Sequence, residues 1–283
     1  MPSRKLIINA ALTGMVPVKA DNPNLPTTPG EIAKDVKACR GAGASLFHFH
    51  ARDAQGKPTY RADVYREIIL AARAACPDII VCVSTSGRTF KTFEQRSEVL
   101  GLDGDAKPEM ASLTLGSLNF PKQASVNEPE MIGKLADAMR ERGIVPELEI
   151  FDFGMLDYAK YLIERKVLAE PFYFNFLLGS LGTLSATPFN LATLAMSLPS
   201  GATWAGAGIG RFQFFVNSMS ITMGGHVRVG LEDNLYFDDE KQSPATNSGL
   251  VERLAALARA AGRDVATPME ARQIIGLNSA GRQ

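Results

Sequence analysis

The chain has 283 residues, 46% of them hydrophobic and 21% charged, which is the composition of a globular protein with a large core and excludes disordered and fibrous classes. Thirty basic and thirty acidic side chains cancel, so the chain carries no electrostatic footprint for nucleic acid or another polyanion. Cys39, Cys76 and Cys82 form no CxxC pair and leave one over, which argues against a disulfide framework or a cysteine zinc site. With no export pattern at the start and no run of about 18 apolar residues, a cytoplasmic location without a membrane span is expected.

Short β-branched or alternating runs are each followed by a segment of helical period, the mark of βα units around a parallel sheet. In chain order the expected strands are 5–13, 45–52, 79–86, 110–119, 145–153, 172–178, 203–208 and 227–232. The helices between and after them are 31–42, 61–75, 93–100, 130–142, 155–166, 190–196, 212–223 and 249–261, and a further segment, 268–275, closes the chain. Eight strands interleaved with eight helices predict an α/β fold, a (β/α)8 TIM barrel, better than an open sheet. No linker, repeat or low-complexity run divides the chain, so residues 1–283 are expected to form a single domain. The first connection, 14–30, is too long and Pro-rich for a tight βα turn. Such loops usually serve the active-site face of a barrel.

Only three histidines occur, and His48 and His50 stand two apart in SLFHFHARD on the second strand. Period-two geometry points both inward and turns Phe47 and Phe49 toward the helices. Two imidazoles converging in a dry pocket are costly unless their lone pairs are used, and a metal uses them. The plainer reading is a pair of hydrogen-bonded core histidines. A third ligand is offered by Glu232 at the end of the last strand, which barrel closure brings two strands, about 10 Å, from the second. His48, His50 and Glu232 then form a His2Glu site with an open position, the pattern of catalytic zinc, although ligand type alone also admits manganese, iron or nickel. His226 lies about 20 Å lower along the strand and is assigned to structure.

Arg228 shares a face with Glu232, and Asp233 follows the ligand directly. Arg228 can lock a bidentate pair, present an anion site, or fill the barrel floor by pairing with Glu147 or Glu149. Ser84, Ser86, Thr114, Ser117, Asn119, Glu147 and Glu149 collect at strand ends as a polar pocket above the metal. Gly87 is expected to leave backbone N–H groups free for a carboxylate or phosphate. GAGIG at 206–210 lacks the spacing of a dinucleotide fingerprint, although a phosphate near strand seven fits a barrel. Arg88, Lys91 and Arg211 are candidates for the phosphates of a substrate, with surface solvation explaining each at least as well.

The runs TGMVPVKADNPNLPTTPGEIA, FHFHARD, STSGR, ASLTLGSLNF, PELEIFD and HVRVGLEDN, in this order, resemble the β-keto acid cleavage enzymes over essentially the whole chain. The resemblance implies a Zn2+-bound (β/α)8 homotetramer in which a β-keto acid and acetyl-CoA give acetoacetate and a new acyl-CoA. It implies metal ligands His48, His50 and Glu232, with Asp233 as base backed by Arg228 and supported by Glu149. Ser84 and Thr114 would help hold the keto acid's carboxylate. One departure concerns the substrate: Met15 follows Thr13-Gly14 where members acting on an amino-bearing keto acid carry a glutamate. A neutral keto acid is therefore expected here. Two other readings are a different metal-dependent aldolase or hydrolase, and a non-catalytic metal- or small-molecule-binding barrel. Hydrolases with His-x-His on strand one add later histidines that this chain lacks.

Overall fold

In the computed structural model, which describes residues 5–277, eight parallel strands close into a barrel. They are β1 (Ile8–Ala11), β2 (Leu46–Phe49), β3 (Ile80–Val83), β4 (Met110–Thr114), β5 (Val145–Ile150), β6 (Tyr173–Leu178), β7 (Thr203–Gly208) and β8 (His226–Val229). β1 pairs with β8 through Asn9 and Arg228, and with β2 through Ala11 and His48, so it alone separates the second strand from the last. The expected barrel and the closure that joins its ends are both found.

Helices α1 (Pro29–Ala42), α2 (Ala62–Ala75), α3 (Phe93–Ser97), α4 (Pro129–Glu141), α5 (Phe153–Glu164), α6 (Pro188–Met196), α7 (Gln213–Thr222), α8 (Asn247–Ala260) and α9 (Pro268–Ile275) follow the predicted order. Local chemistry sets their ends. Thr28, Thr92 and Thr267 each cap the N–H three residues on and receive the reciprocal Glu31, Gln95 or Glu270 side chain. α9 stops at Gly276, whose φ of 88° suits the left-handed cap.

Several boundaries differ from the sequence expectation. The second strand ends at Phe49, and Ala51–Arg52 pairs antiparallel with Pro58–Thr59. The third helix is shorter, passing at Glu98 into a 3-10 turn that ends at Gly101. The fourth strand ends at Thr114, and Leu118–Asn119 pairs antiparallel with Ala124–Ser125 in a separate ribbon. Ser117 and Asn119 thereby leave the site: Ser117 Oγ accepts the Asn127 N–H, and Asn119 is exposed. The last strand ends at Val229 because Gly230, at φ 154°, turns the chain so close to β1 that a Cβ there would lie 2.0 Å from the Ala11 carbonyl oxygen. Glu232 therefore reaches Arg228 through a turn rather than along a strand face.

Strand alternation divides the barrel interior into levels. At the N-terminal end Ile7, Leu46, Ile80, Met110, Tyr173 and Ala205 pack with Ala271 and Ile275 of α9 into an apolar floor. Two residues on along the same strands stand buried polar groups: Asn9, His48, Cys82, Ser112 and Asn175. The opposite faces, including Ile8, Ala10, Phe47, Phe49, Val81 and Val83, form the outer core beneath the helices. His226 belongs to the bottom, where its Nδ1 accepts the Ile7 N–H at 3.0 Å.

Candidate functional site

His48 and His50 leave β2 on one face, at its C-terminal end, and their Nε2 atoms lie 3.4 Å apart. Glu232 Oε1 is 3.2 Å from His50 Nε2, and one donor atom from each of the three residues lies within 4.8 Å of the others. Glu232 Oε2 is buried with no hydrogen-bond partner among the described residues. Two facing imidazole nitrogens beside an orphaned carboxylate oxygen form a donor set able to hold a metal ion.

The turn carrying Glu232 is held from three sides. Its N–H donates to the Ala11 carbonyl at 3.2 Å, and the neighbouring Leu231 N–H donates to Asn247 Oδ1 at 2.7 Å. Asn247 Nδ2 in turn donates to the Leu12 carbonyl and to Asp35 Oδ2, tying β1, α1 and α8 to the ligand's turn. Gly14, at φ 67°, packs so tightly on Glu232 that a Cβ would lie 2.6 Å from its Cγ. Arg52 of the HARD segment fixes that loop by donating to the carbonyls of Gly14, Pro17 and Gly56. The long first connection is thus built onto the site, as its length implied. Sequence reading gave neither Arg52 nor Asn247 a role, because both act through backbone carbonyls and amides that only the folded chain brings near.

Glu147, wholly buried on β5, accepts from His48 Nδ1 at 2.8 Å, Asn9 Nδ2 at 2.7 Å, Asn175 Nδ2 at 3.2 Å and Cys82 Sγ at 3.4 Å. Burial pushes its carboxyl up, but His48 and then Arg228 outweigh this and hold it below the ordinary carboxylate range. An ionised Glu147 only accepts, so His48 carries its proton on Nδ1 and turns the Nε2 lone pair toward His50. His48, Cys82 and Glu147 also lie close enough to hold an ion. They do not fit one, since burial keeps the Cys82 thiol protonated and Glu147 is already saturated.

Arg228 settles between the readings the sequence left open, for it meets four carboxylates at once. Nε lies 2.9 Å from Asp233 Oδ2, Nη2 2.6 Å from Glu232 Oε1, and Nη1 3.6 and 3.8 Å from Glu149 and Glu147. Burial raises the Glu232 carboxyl, yet Arg228 and the two histidines hold it well below the usual range. Asp233 is raised, because its burial outweighs Arg228. One cation thus keeps Glu232 ionised while Asp233 on the next residue stays more basic than an ordinary aspartate.

Ser84 and Ser86 line a small cavity beside His50 with Met15, Tyr60 and Phe90. Thr114 ends the adjacent strand, β4, and donates its hydroxyl to Glu149 Oε2 at 2.6 Å. The open amide cradle expected at Gly87 is partly filled from within, since the Ser86 and Arg88 N–H groups donate to Ser84 Oγ and Ser86 Oγ. Gly87 is needed for close packing: a Cβ would lie 2.7 Å from the Arg96 guanidinium. The glycines of GAGIG also serve packing, with Gly206 against Ser220 and Gly208 against the Phe212 carbonyl, while the Gly210 N–H donates to the Asp233 carbonyl. Arg88 and Lys91 lie on the loop after β3, whereas Arg211 lines a separate cleft with Phe237 and Arg253.

The family model for beta-keto acid cleavage enzymes matches residues 5–277. The chain belongs to that family. It is 42% identical to a 3-keto-5-aminohexanoate cleavage enzyme of Fusobacterium nucleatum over 96% of this chain and 98% of that one. It is 37% identical to a 3-oxoadipate:acetyl-CoA acetyltransferase of Cupriavidus necator, over 96% and 95%. Among solved structures, ObcA in its apo form superposes with a TM-score of 0.79 at 20% identity, covering 90% of this chain and 66% of that one, which is a likeness of fold. A member of the β-keto acid cleavage family is an enzyme acting on β-keto acids, and the non-catalytic barrel is set aside.

Proposed function

We propose that this enzyme is zinc-dependent and condenses a β-keto acid with acetyl-CoA to give acetoacetate and a new acyl-CoA. The observation that carries the reading is the convergence of His48, His50 and Glu232 at the barrel mouth, with Asp233 and Arg228 hydrogen-bonded alongside. The name of the 3-oxoadipate relative, an acetyl-CoA acetyltransferase, supports the co-substrate. An ion held by the three donors supplies Lewis acidity at the ketone, lowering the cost of negative charge at C2 of the keto acid.

Asp233, raised by burial and fixed by Arg228, takes the C2 proton. C2 then attacks the acetyl-CoA thioester and releases the CoA thiolate, which adds at C3. The C2–C3 bond breaks, leaving an acyl-CoA, and Asp233 returns its proton to C2 of the departing acetoacetate. Arg228 holds Asp233 in place, and Glu149 shares that cation. Ser84, Ser86 and Gly87 after β3, with Thr114 at the end of the adjacent β4, are assigned to the substrate carboxylate.

No acidic side chain lines the cavity beside His50, and Met15 occupies its edge, which supports a keto acid without an ammonium group. The enzyme is proposed to act as one (β/α)8 domain, assembled as a homotetramer in the cytoplasm. Arg211 is the only Asp, Glu, Lys or Arg between Pro171 and Gly225, and Phe189 and Met196 on this stretch are 75% and 86% exposed. A charge-poor apolar face of that kind supports contact between copies. No described helix is long and apolar enough to cross a membrane, and the three cysteines are free and buried. Incubating the zinc-loaded enzyme with acetyl-CoA and a panel of β-keto acids, read by acyl-CoA mass, tests the reaction. Acetoacetate should appear only when both substrates are present, and cleavage by water alone would refute it.

A further inference from the structure

Three of the arginines around the barrel mouth are engaged by protein groups, although Arg228 Nη1 makes no hydrogen bond. Arg228 meets four carboxylates, Arg52 donates to three carbonyls, and Arg96 donates to the Thr85 and Val126 carbonyls and to Asn127 Oδ1. Arg88 differs. Its guanidinium lies over the Phe120 ring, 3.5 Å from the centroid, and among the described residues no carboxylate comes within ion-pair distance of it. Its backbone is pinned, the N–H donating to Ser86 Oγ and the carbonyl accepting from Lys91 Nζ and Gln123 Nε2. The half-buried cation is thus presented by a fixed loop and an aromatic platform. Burial pushes the guanidinium down, and Glu232, Glu149 and Asp233 push it back up, so it stands within the field of the reaction centre. Stacking satisfies the guanidinium face and leaves its planar fork of donors for an oxyanion.

We propose that Arg88, seated on Phe120, binds a carboxylate of the β-keto acid, either its C1 group or a second acid group at the far end of the substrate. The proposal rests on the β-keto acid reading above. The other anions brought to the site, the CoA phosphates, are separated by the whole pantetheine arm from the thioester that must reach the centre. The same cation repels a substrate ammonium, in accord with the absence of acids around Met15.

The test compares wild-type holoenzyme with Arg88→Met, Arg88→Lys and Phe120→Leu. The unreactive acids 3-hydroxyhexanoate and 3-hydroxyadipate are titrated calorimetrically, and KM is measured for 3-oxohexanoate, 3-oxoadipate and acetyl-CoA. Arg88→Met should weaken acid binding about tenfold or more with Tm unchanged, as expected for a lost charge-assisted hydrogen bond. Arg88→Lys should recover part of the loss, and Phe120→Leu should reproduce part of it. Equal weakening of both acids assigns the C1 carboxylate, and weakening of the dicarboxylate alone assigns the distal group. Unchanged affinity for both acids, or an effect confined to the KM of acetyl-CoA, overturns the proposal. Wild-type enzyme that binds the acids but forms no acyl-CoA would sink the reaction assignment and leave the Arg88 comparison standing.

Discussion

The floor and the mouth of this barrel are made by the same strands two residues apart, and they obey opposite rules. Leu46 precedes His48, Ile80 precedes Cys82, Met110 precedes Ser112 and Tyr173 precedes Asn175, so each strand gives an apolar group to the bottom and a polar one above it. The floor is held by packing that tolerates no voids. Above it, four acids crowd around Arg228, an arrangement whose mutual repulsion must be borne by the rest of the fold. The contrast teaches that stability and chemistry are separated by level, not by strand, which makes the two separable by mutation.

The sharpest break is Glu232→Ala or His48→Ala. Either should lose the metal, by elemental analysis, and reduce turnover below detection, while a metal-free preparation with full activity would end the metal assignment. Asp233→Asn should keep the metal and lower kcat about a hundred- to ten-thousandfold, as expected for a missing base. Met110→Ala tests the other level. It should cost about 2–5 kcal/mol in denaturant unfolding and leave kcat intact at temperatures where the protein is folded. Glu147→Gln lies between the levels, and its loss of the His48 anchor should weaken metal affinity about 10- to 100-fold in a competition titration.

The smallest effect concerns Asp35, on the far side of Asn247 from the ligand turn. Burial pushes its carboxyl up to about 6 despite the Asn247 hydrogen bond. An acid raised in the folded state binds more protons folded than unfolded between its ordinary range and about 6, so stability falls as pH rises through that window. Asp35→Asn should therefore be more stable than wild type at pH 7.5, by up to about 3 kcal/mol, with the difference vanishing near pH 4. A Tm difference that does not change with pH would count against a burial penalty on this carboxyl.

Much of this organisation was legible in the chain itself. Period-two spacing carried His48 and His50 to one face, and barrel closure carried Glu232 to them, because both depend only on backbone geometry. The apolar floor also follows from alternation once the strands are placed. What the pattern could not carry were contacts made by turning or by distance. Gly230 ends the last strand early, so Glu232 and Arg228 meet around a bend. Ser117 and Asn119 fall beyond a strand whose alternation continues into a separate ribbon. Arg52 and Asn247 bond to backbone groups far away in sequence, and nothing in their own neighbourhoods announces it.

The 182 positions separating His50 from Glu232 have a consequence for how the protein is made. During synthesis the two imidazoles emerge early, while their acidic partner waits for the final stave. On the proposed metal reading, a nascent chain has only two of the three donors, and secure capture of an ion is deferred until the circle shuts. Ion loading would then double as a readout of completed assembly.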